Sequence, residues 1–536
     1  MYHISSKKVS YLFKKLRRIK LSTINKARNT IPPFTAKTSI LPNITLQLAR
    51  IQERFGESSD LIVQKLDYVD DDSFYIGICY LEGLTDQQAL HQEIMNIKVV
   101  TSKLEEHAYI SEPKILLEAT NGQITSVVEE EILINYLFEG SVAILINGMT
   151  EAFTVPVPGG ERRSIQEPTS QTVIRGPKEG FVEDISTNIA LVRRKIKSPD
   201  LHVKTLSVGR YTQTKVSILY MKGIAEPYVV SEILQRIQSI DTDSILESGY
   251  IEEFIQDGIL TPFPTMLNTE RPDAIAGGLL EGLVAIIVDG TPFVLMAPVT
   301  FSRFLTSSED YYQRYDISSF LRLVRLASFF IALFLPSFFI AITTFHVEML
   351  PTTLLITLAA QREATPFTTL IEAFLMELTF EVIREAGVRM PRAIGPAISI
   401  VGALVLGQAA VQAGLVSAAM VIVVSFTAIS NFVLPSINMS SATRLLRFFL
   451  MILAGTLGLF GILIGITAII GHLVSLQSFG VPYLDPTINK NNLKDIVVRV
   501  PWWKMKTRPT LITAQRTREG SNYAEQAKDQ KPDPLS

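Results

Sequence analysis

The chain has a single cysteine, Cys79, among 536 residues. That excludes an intramolecular disulfide and any cysteine-based metal site. Cys79 lies in the apolar run 74–81, where a thiol acts as a small buried hydrophobe. Histidine is scarce too: His3, His91, His107, His202, His346 and His472 are scattered without ligand spacing. A Walker-type loop, G-x-G-x-x-G, G-x-S-x-G and a histidine–carboxylate cluster are all missing. No enzyme activity, catalytic residue, cofactor or metal is therefore expected. No apolar h-region follows the basic start, so no cleavable signal peptide is expected and the N-terminal half is placed in the cytoplasm.

Acids are absent from residues 1–50, where Lys7, Lys8, Lys14, Lys15, Arg17, Arg18 and Lys20 cluster. Val9, Leu12, Phe13, Leu16 and Ile19 recur among them at helical spacing. Such a helix can lie on an anionic membrane; the other reading is a disordered basic arm. No nucleic-acid-reading module follows, and no nucleic acid is expected as partner. The formal net charge of −2 averages a polar half and a membrane half.

Residues 44–303 read as soluble α/β, and the segment repeats itself. Ile78-Cys-Tyr-Leu-Glu-Gly83 resembles Ile218-Leu-Tyr-Met-Lys-Gly223, and EGSVAILING at 139–148 resembles EGLVAIIVDG at 281–290. Two separate matches at nearly one offset argue for two related subdomains, 45–160 and 201–310. Asn147-Gly148 and Asp289-Gly290 predict a hairpin in each, joined by a type I′ turn with φ > 0 at both central residues. Between them, 161–200 reads as a linker carrying RGPKEGF at 175–181 and a charged helix over 184–197. Arg193, Arg194, Lys195 and Lys197 crowd the last turn of that helix and suit its dipole. The linker is either a plain connection or a contact surface.

Residues 320–478 are the one long apolar block, a polytopic all-α transmembrane domain by composition. Arg322 and Arg325 precede the run 326–345 and place that end in the cytoplasm. The run 352–360 is too short to span and reads as re-entrant. Residues 397–433 read as two short spans around Gly414, with Gln408 and Gln412 near the middle. The last run, 448–476, is studded with Gly455, Gly458, Gly461, Gly465 and Gly471. Five crossings would leave the tail outside, yet 490–518 is strongly basic, which argues for inside. Either the last run is a hairpin or another segment is re-entrant, and an inside tail is the expectation. Residues 479–536 form that basic, then polar, tail.

Inside this block lies an acidic helix, read from Pro366. Glu377, Glu381 and Glu385 share one face at i, i+4, with Arg384 beside them. Phe374 falls on the charged side as an exception, and Glu372 sits at the edge. A carboxylate at membrane depth costs at least about 2.5 kcal/mol, so it faces a bundle interior or a water-filled path. Either these acids pair with Arg384, Arg389 and Arg392 to hold helices together, or they border an ion pathway. The pathway or gate candidates are Glu363, Glu372, Glu377, Glu381, Gln408 and Gln412.

RGPKEGFVED at 175–184, NIALVRRKIKSPDL after it and EGLVAIIVDGTPFVLMAPVTF at 281–301 resemble the GerA family. So do FLPSFFIAITTFHVEMLPTTLL at 334–355, EAFLMELTFEVIREAGVRMP at 372–391 and PAISIVGALVLGQAAVQAGLVSA at 396–418. That resemblance, over about 45–510, implies the A subunit of a nutrient germinant receptor in the spore inner membrane. It implies a two-part N-terminal domain facing the spore core, a transporter-like B subunit that binds the germinant and a lipoprotein C subunit. It further implies self-association, as a pentamer, into a ligand-gated cation channel among membrane lipid. Arg175, Lys178 and Glu179 become candidates for subdomain or subunit contact. A paralogue class, the stage V sporulation AF protein, shares the architecture. Two rivals of another kind are a non-conducting scaffold and a secondary transporter; the latter would suit broken helices, but the membrane half shows no internal repeat.

Overall fold

The computed structural model describes residues 38–67, 75–104, 124–159, 168, 171, 173–258, 260–363, 365–389, 405–484, 498–505, 507, 508, 512, 513 and 518. The basic arm before residue 38, Arg392 and most of the tail lie outside them.

The N-terminal half is built twice. The first unit runs α1 (Ile44–Arg54), β1 (Leu61–Asp67), β2 (Tyr75–Leu81), α2 (Gln87–Leu104), β3 (Thr125–Val127), α3 (Glu130–Phe138), β4 (Ser141–Ile146) and β5 (Ala152–Pro156). The second runs α4 (Ile185–Lys195), β6 (Leu201–Val208), β7 (Thr214–Met221), α5 (Pro227–Gln238), α6 (Ser248–Ile255), β8 (Leu267–Thr269), α7 (Pro272–Leu280), β9 (Val284–Val288) and β10 (Val294–Ala297). The sheets have one strand order, β1-β2-β4-β5-β3 and β6-β7-β9-β10-β8, with every pair antiparallel. Strands β4 and β9 are buried along their whole length, because each contributes to an apolar cluster on both faces of its sheet. Cys79 is fully buried on β2, and burial pushes its thiol up to about 12.

The charged helix expected in the linker is α4, the counterpart of α1. Its Ile185, Ile189, Leu191 and Val192 belong to the second core. Arg193 is not a dipole-facing surface charge. It is buried, and its Nε and Nη2 donate to Asp60 of the first unit at 2.7 and 3.0 Å, tying the two units together.

The paired glycine dipeptides also do something other than expected. β4 and β5 are joined across 147–151, and β9 and β10 across 289–293, so neither turn is the two-residue type I′. Only Gly148 and Gly290 take positive φ, +87° each. Asn147 Oδ1 instead accepts the Ile44 N–H (3.3 Å), and Asp289 Oδ1 accepts the Ile185 N–H (3.2 Å). Each loop therefore satisfies an orphan donor at the start of its unit's first helix. Gly148 and Gly290 donate to Pro42 and Glu183, both at 2.8 Å, closing the same contact in both units.

The C-terminal half is helical: α8 (Tyr315–Phe345), α9 (Thr352–Glu363), α10 (Thr369–Arg389), a helical stretch 405–412, α11 (Ala418–Phe432) and α12 (Ile437–Ser475). Helices α8 and α12 are long and apolar enough to cross a membrane. A straight 39-residue helix would measure about 58 Å, nearly twice the hydrocarbon core. α12 is not straight. Gly458 takes φ 62°, ψ −142°, and the chain folds back there. A Cβ on Gly465 would lie 2.4 Å from Leu450, and one on Gly461 would lie 2.1 Å from the Leu453 carbonyl. Residues this far apart along one helix touch only if its halves run antiparallel.

The last run is thus a hairpin, one of the two alternatives the sequence left open. Both ends of α12 return to the α/β side, where Thr261 hydrogen-bonds His472 at 2.8 Å. The tail reaches the same side: Thr513 bridges Ala225, and the Arg508 Nε–H donates to the Leu280 carbonyl at 2.9 Å. Arg322 and Arg325, the basic flank of the first apolar run, are ion-paired with Asp310 at 2.9 and 2.6 Å.

The close turn makes a prediction. Gly461→Ala forces a methyl into a backbone carbonyl and should destabilise the protein by about 1–3 kcal/mol. Gly471→Ala meets nothing within 4 Å and should be neutral. Thermal unfolding of the two variants in detergent checks this; equal midpoints would refute the hairpin packing.

Candidate functional site

The acids converge where α10 runs against the first half of α12. The helix starts at Thr369, three residues later than read from Pro366, and Thr369 is buried. Leu370 packs against Gly455, and the Phe374 and Phe448 rings lie 5.6 Å apart. Glu377 then meets Arg447 at 2.9 Å and Glu381 meets Arg444 at 2.7 Å. Contacts that descend one helix while ascending the other define an antiparallel pair. Phe374, the apparent exception on the charged face, is there because Phe448 follows Arg447.

Five side chains form one ionic network. Arg447 also lies 3.6 Å from Glu381, and Arg384 closes on Glu381 at 2.8 Å. The Glu377 and Arg447 side chains are each only 1% exposed. Arg447 is ten residues from Ile437 and eleven from Gly458, so the pair sits about 15 Å from either end of the hairpin arm. Desolvating two charges there is tolerable only because each supplies the other's counter-charge.

Glu372 is buried separately. It accepts hydrogen bonds from the N–H and the hydroxyl (2.5 Å) of Ser417, the N-cap of α11. A carboxylate is favoured at a helix N-terminus, where donors and dipole both point at it. Arg389 pairs instead with Glu385 on the exposed surface at 2.7 Å. Sequence reasoning did not single out Arg444 and Arg447, which stand just before the last run. Their spacing of three, opposite acids spaced by four, is the signal that pairs them with α10.

Glu363, Gln408 and Gln412 are a different set: all are exposed in the single chain. Glu363 lies at the bundle end remote from the α/β units. Arg362 Nη1 donates to the Thr343 carbonyl (3.0 Å) near the end of α8, and Gly458 abuts Phe345 and His346 there. The structure thus separates the six candidates into three internal acids and three outward polar groups.

The RGPKEGF segment lies between the second unit and the entry to the bundle. The Arg175 N–H donates to Glu309 at 3.2 Å, and Glu179 pairs with Lys195 of α4 at 3.1 Å. Gly176 (φ +141°) lets the chain press on Tyr312, where a Cβ would lie 2.8 Å from the ring. The Tyr312 hydroxyl donates to Asp273 at 2.7 Å; burial and that carboxylate raise its pKa. Arg271 Nη2 donates both to Asp273 (2.7 Å) and to the Pro177 carbonyl (3.3 Å).

The sequence matches known proteins along most of its length. Residues 49–511 match the family model described as Bacillus/Clostridium GerA spore germination protein. Spore germination protein KA of Bacillus subtilis (strain 168) is 44% identical over 93% of this chain and 90% of its own length. Spore germination protein B1 of the same organism is 37% identical over 86% and 96%. A crystal structure of the N-terminal domain of the A subunit of the Bacillus megaterium spore germinant receptor GerK3 is 36% identical. It covers 50% of this chain and 99% of its own, with a TM-score of 0.40.

The ionic network predicts a non-additive pair. Arg447→Met strands Glu377 and should cost about 3–5 kcal/mol, lowering the yield of folded protein. The double change Glu377→Met/Arg447→Met should recover most of that loss, while Arg389→Ala should change nothing. A single variant as stable as the parent would show that the pair does not hold the helices.

Proposed function

The chain belongs to the GerA family of spore germination proteins, and from that membership we propose that it is the A subunit of a nutrient germinant receptor in the spore inner membrane. The observation that carries this is 44% identity to a spore germination protein across nearly the whole chain. In this reading the helical half is polytopic and crosses the bilayer an even number of times, with the α/β units and the tail both facing the spore core. A germinant-binding B subunit and a lipoprotein C subunit are its partners.

The chain then assembles as a ring, a pentamer, around a cation path. The outward polar groups Glu363, Gln408 and Gln412 border the path, since the fold leaves them uncovered. One carboxylate per subunit gives a circle of negative charge that attracts cations and repels anions. Glu372, Glu377 and Glu381 act as the brace and gate. Their network joins α10, α11 and α12, so a small shift of one helix against another changes its pairing. Germinant binding opens the gate only through its differential affinity for closed and open rings. RGPKEGF, with Arg175, Lys178 and Glu179, relays motion of the second unit to Tyr312 and the base of α8.

A second reading rests on the same network. Arg444 and Arg447 neutralise the acids within one chain, as a non-conducting scaffold would require. Cation flux through purified protein in liposomes separates the two. The channel reading predicts flux that Glu363→Lys reduces severalfold without loss of assembly. No flux from assembled parent protein, with or without its partner subunits, would favour the scaffold.

A further inference from the structure

A cavity of about 470 Å³ opens where the second α/β unit meets the helical bundle, within the size range of small-molecule pockets. Arg271, Arg303, Arg325 and Arg518 line it. The lining carboxylates are already engaged. Asp273 is held by Arg271 and Tyr312, Glu281 by Arg303 and Arg518, and Glu309 by the Arg175 N–H and the Gln313 amide. Asp310, which holds Arg325, also serves Arg322. Arg271 Nε and Arg518 Nε are buried donors that find no hydrogen-bond acceptor among the described residues. Four lining arginines against three lining carboxylates leave the site with a positive excess.

A second feature runs into it. Ile422, Phe426, Ile429 and Phe432 form an exposed apolar stripe along α11, within about 120° of arc at 100° per residue. Phe432 lines the cavity, as does Trp502, on which Arg499 and Arg518 stack at 5.4 and 5.7 Å. An apolar track that ends at an arginine-lined, tryptophan-flanked chamber has the polarity profile of a lipid lying across the membrane interface.

We infer that this cavity holds the phosphate headgroup of an anionic phospholipid whose acyl chain lies along the α11 stripe. The guanidinium groups supply charge-assisted donors to the phosphate. The lipid would bind the α/β unit, the 303–312 segment and the bundle at one point, so membrane composition would bias the coupling between them. This rests on the membrane reading of the bundle, which is tested separately by whether detergent is needed to release the protein from the membrane fraction.

The test uses full-length protein, purified in detergent and stripped of lipid. Short-chain phosphatidylglycerol, phosphatidylcholine and inorganic phosphate are each titrated while thermal unfolding is followed. Phosphatidylglycerol should raise the midpoint saturably, and the other two should not. Arg303→Gln and Arg518→Gln should each raise the half-saturating phosphatidylglycerol concentration severalfold. An equal shift with phosphatidylcholine, or the full shift with inorganic phosphate alone, would overturn the inference. So would unchanged saturation in both variants, or efficient disulfide formation between copies carrying Phe432→Cys in the membrane, which would mean that a second copy covers the stripe.

Discussion

A charge buried in an apolar bundle must find its opposite, and the C-terminal half is arranged around that constraint. Glu377 and Arg447 are taken out of water together at mid-bundle. The pair gives little net stability, since a buried ion pair breaks even at best against an apolar replacement. It gives register instead. Only one sliding position of α10 along α12 lets Glu377 reach Arg447 while Glu381 reaches Arg444 and Phe374 meets Phe448. Glu372 extends the constraint to the start of α11 through Ser417. Three helices are thus located by carboxylates on a single one.

The same logic operates at the base of the bundle. Asp310 sits in a capping box with Ser307 and takes both Arg322 and Arg325 from the first turns of α8. Two residues on, Tyr312 is fixed by Asp273 and covered by Gly176. The second α/β unit and the first long helix are joined both by these charge-assisted bonds and by an apolar cluster in which Phe263, Val299 and Phe304 pack with Phe329 and Leu333.

The repeat was legible because two matching stretches lie on paired central strands, β2 with β4 and β7 with β9. The hairpins were legible as existing, but not their chemistry. Asn147 and Asp289 favour tight turns locally, whereas the fold spends their side chains on helix starts far away in sequence. Local propensity cannot report a partner more than one hundred residues off. Arg193 was misread for the same reason: a basic last turn suits a helix dipole, and nothing nearby reveals Asp60. The glycine series before and after Gly458 was visible, but five glycines in an apolar run suit either close helix packing or a turn. The acids of α10 were recognised as needing partners; which arginines answered depended on the antiparallel pairing with α12.

The central claim is that this chain forms a ring with its outward polar groups towards an axial path. Electron-microscopic imaging of the purified protein in a membrane mimetic tests it most directly. The account predicts a closed ring with a central opening, bordered by Glu363, Gln408 and Gln412. A monomer or dimer without an opening, or a ring in which those three residues face lipid, would contradict it.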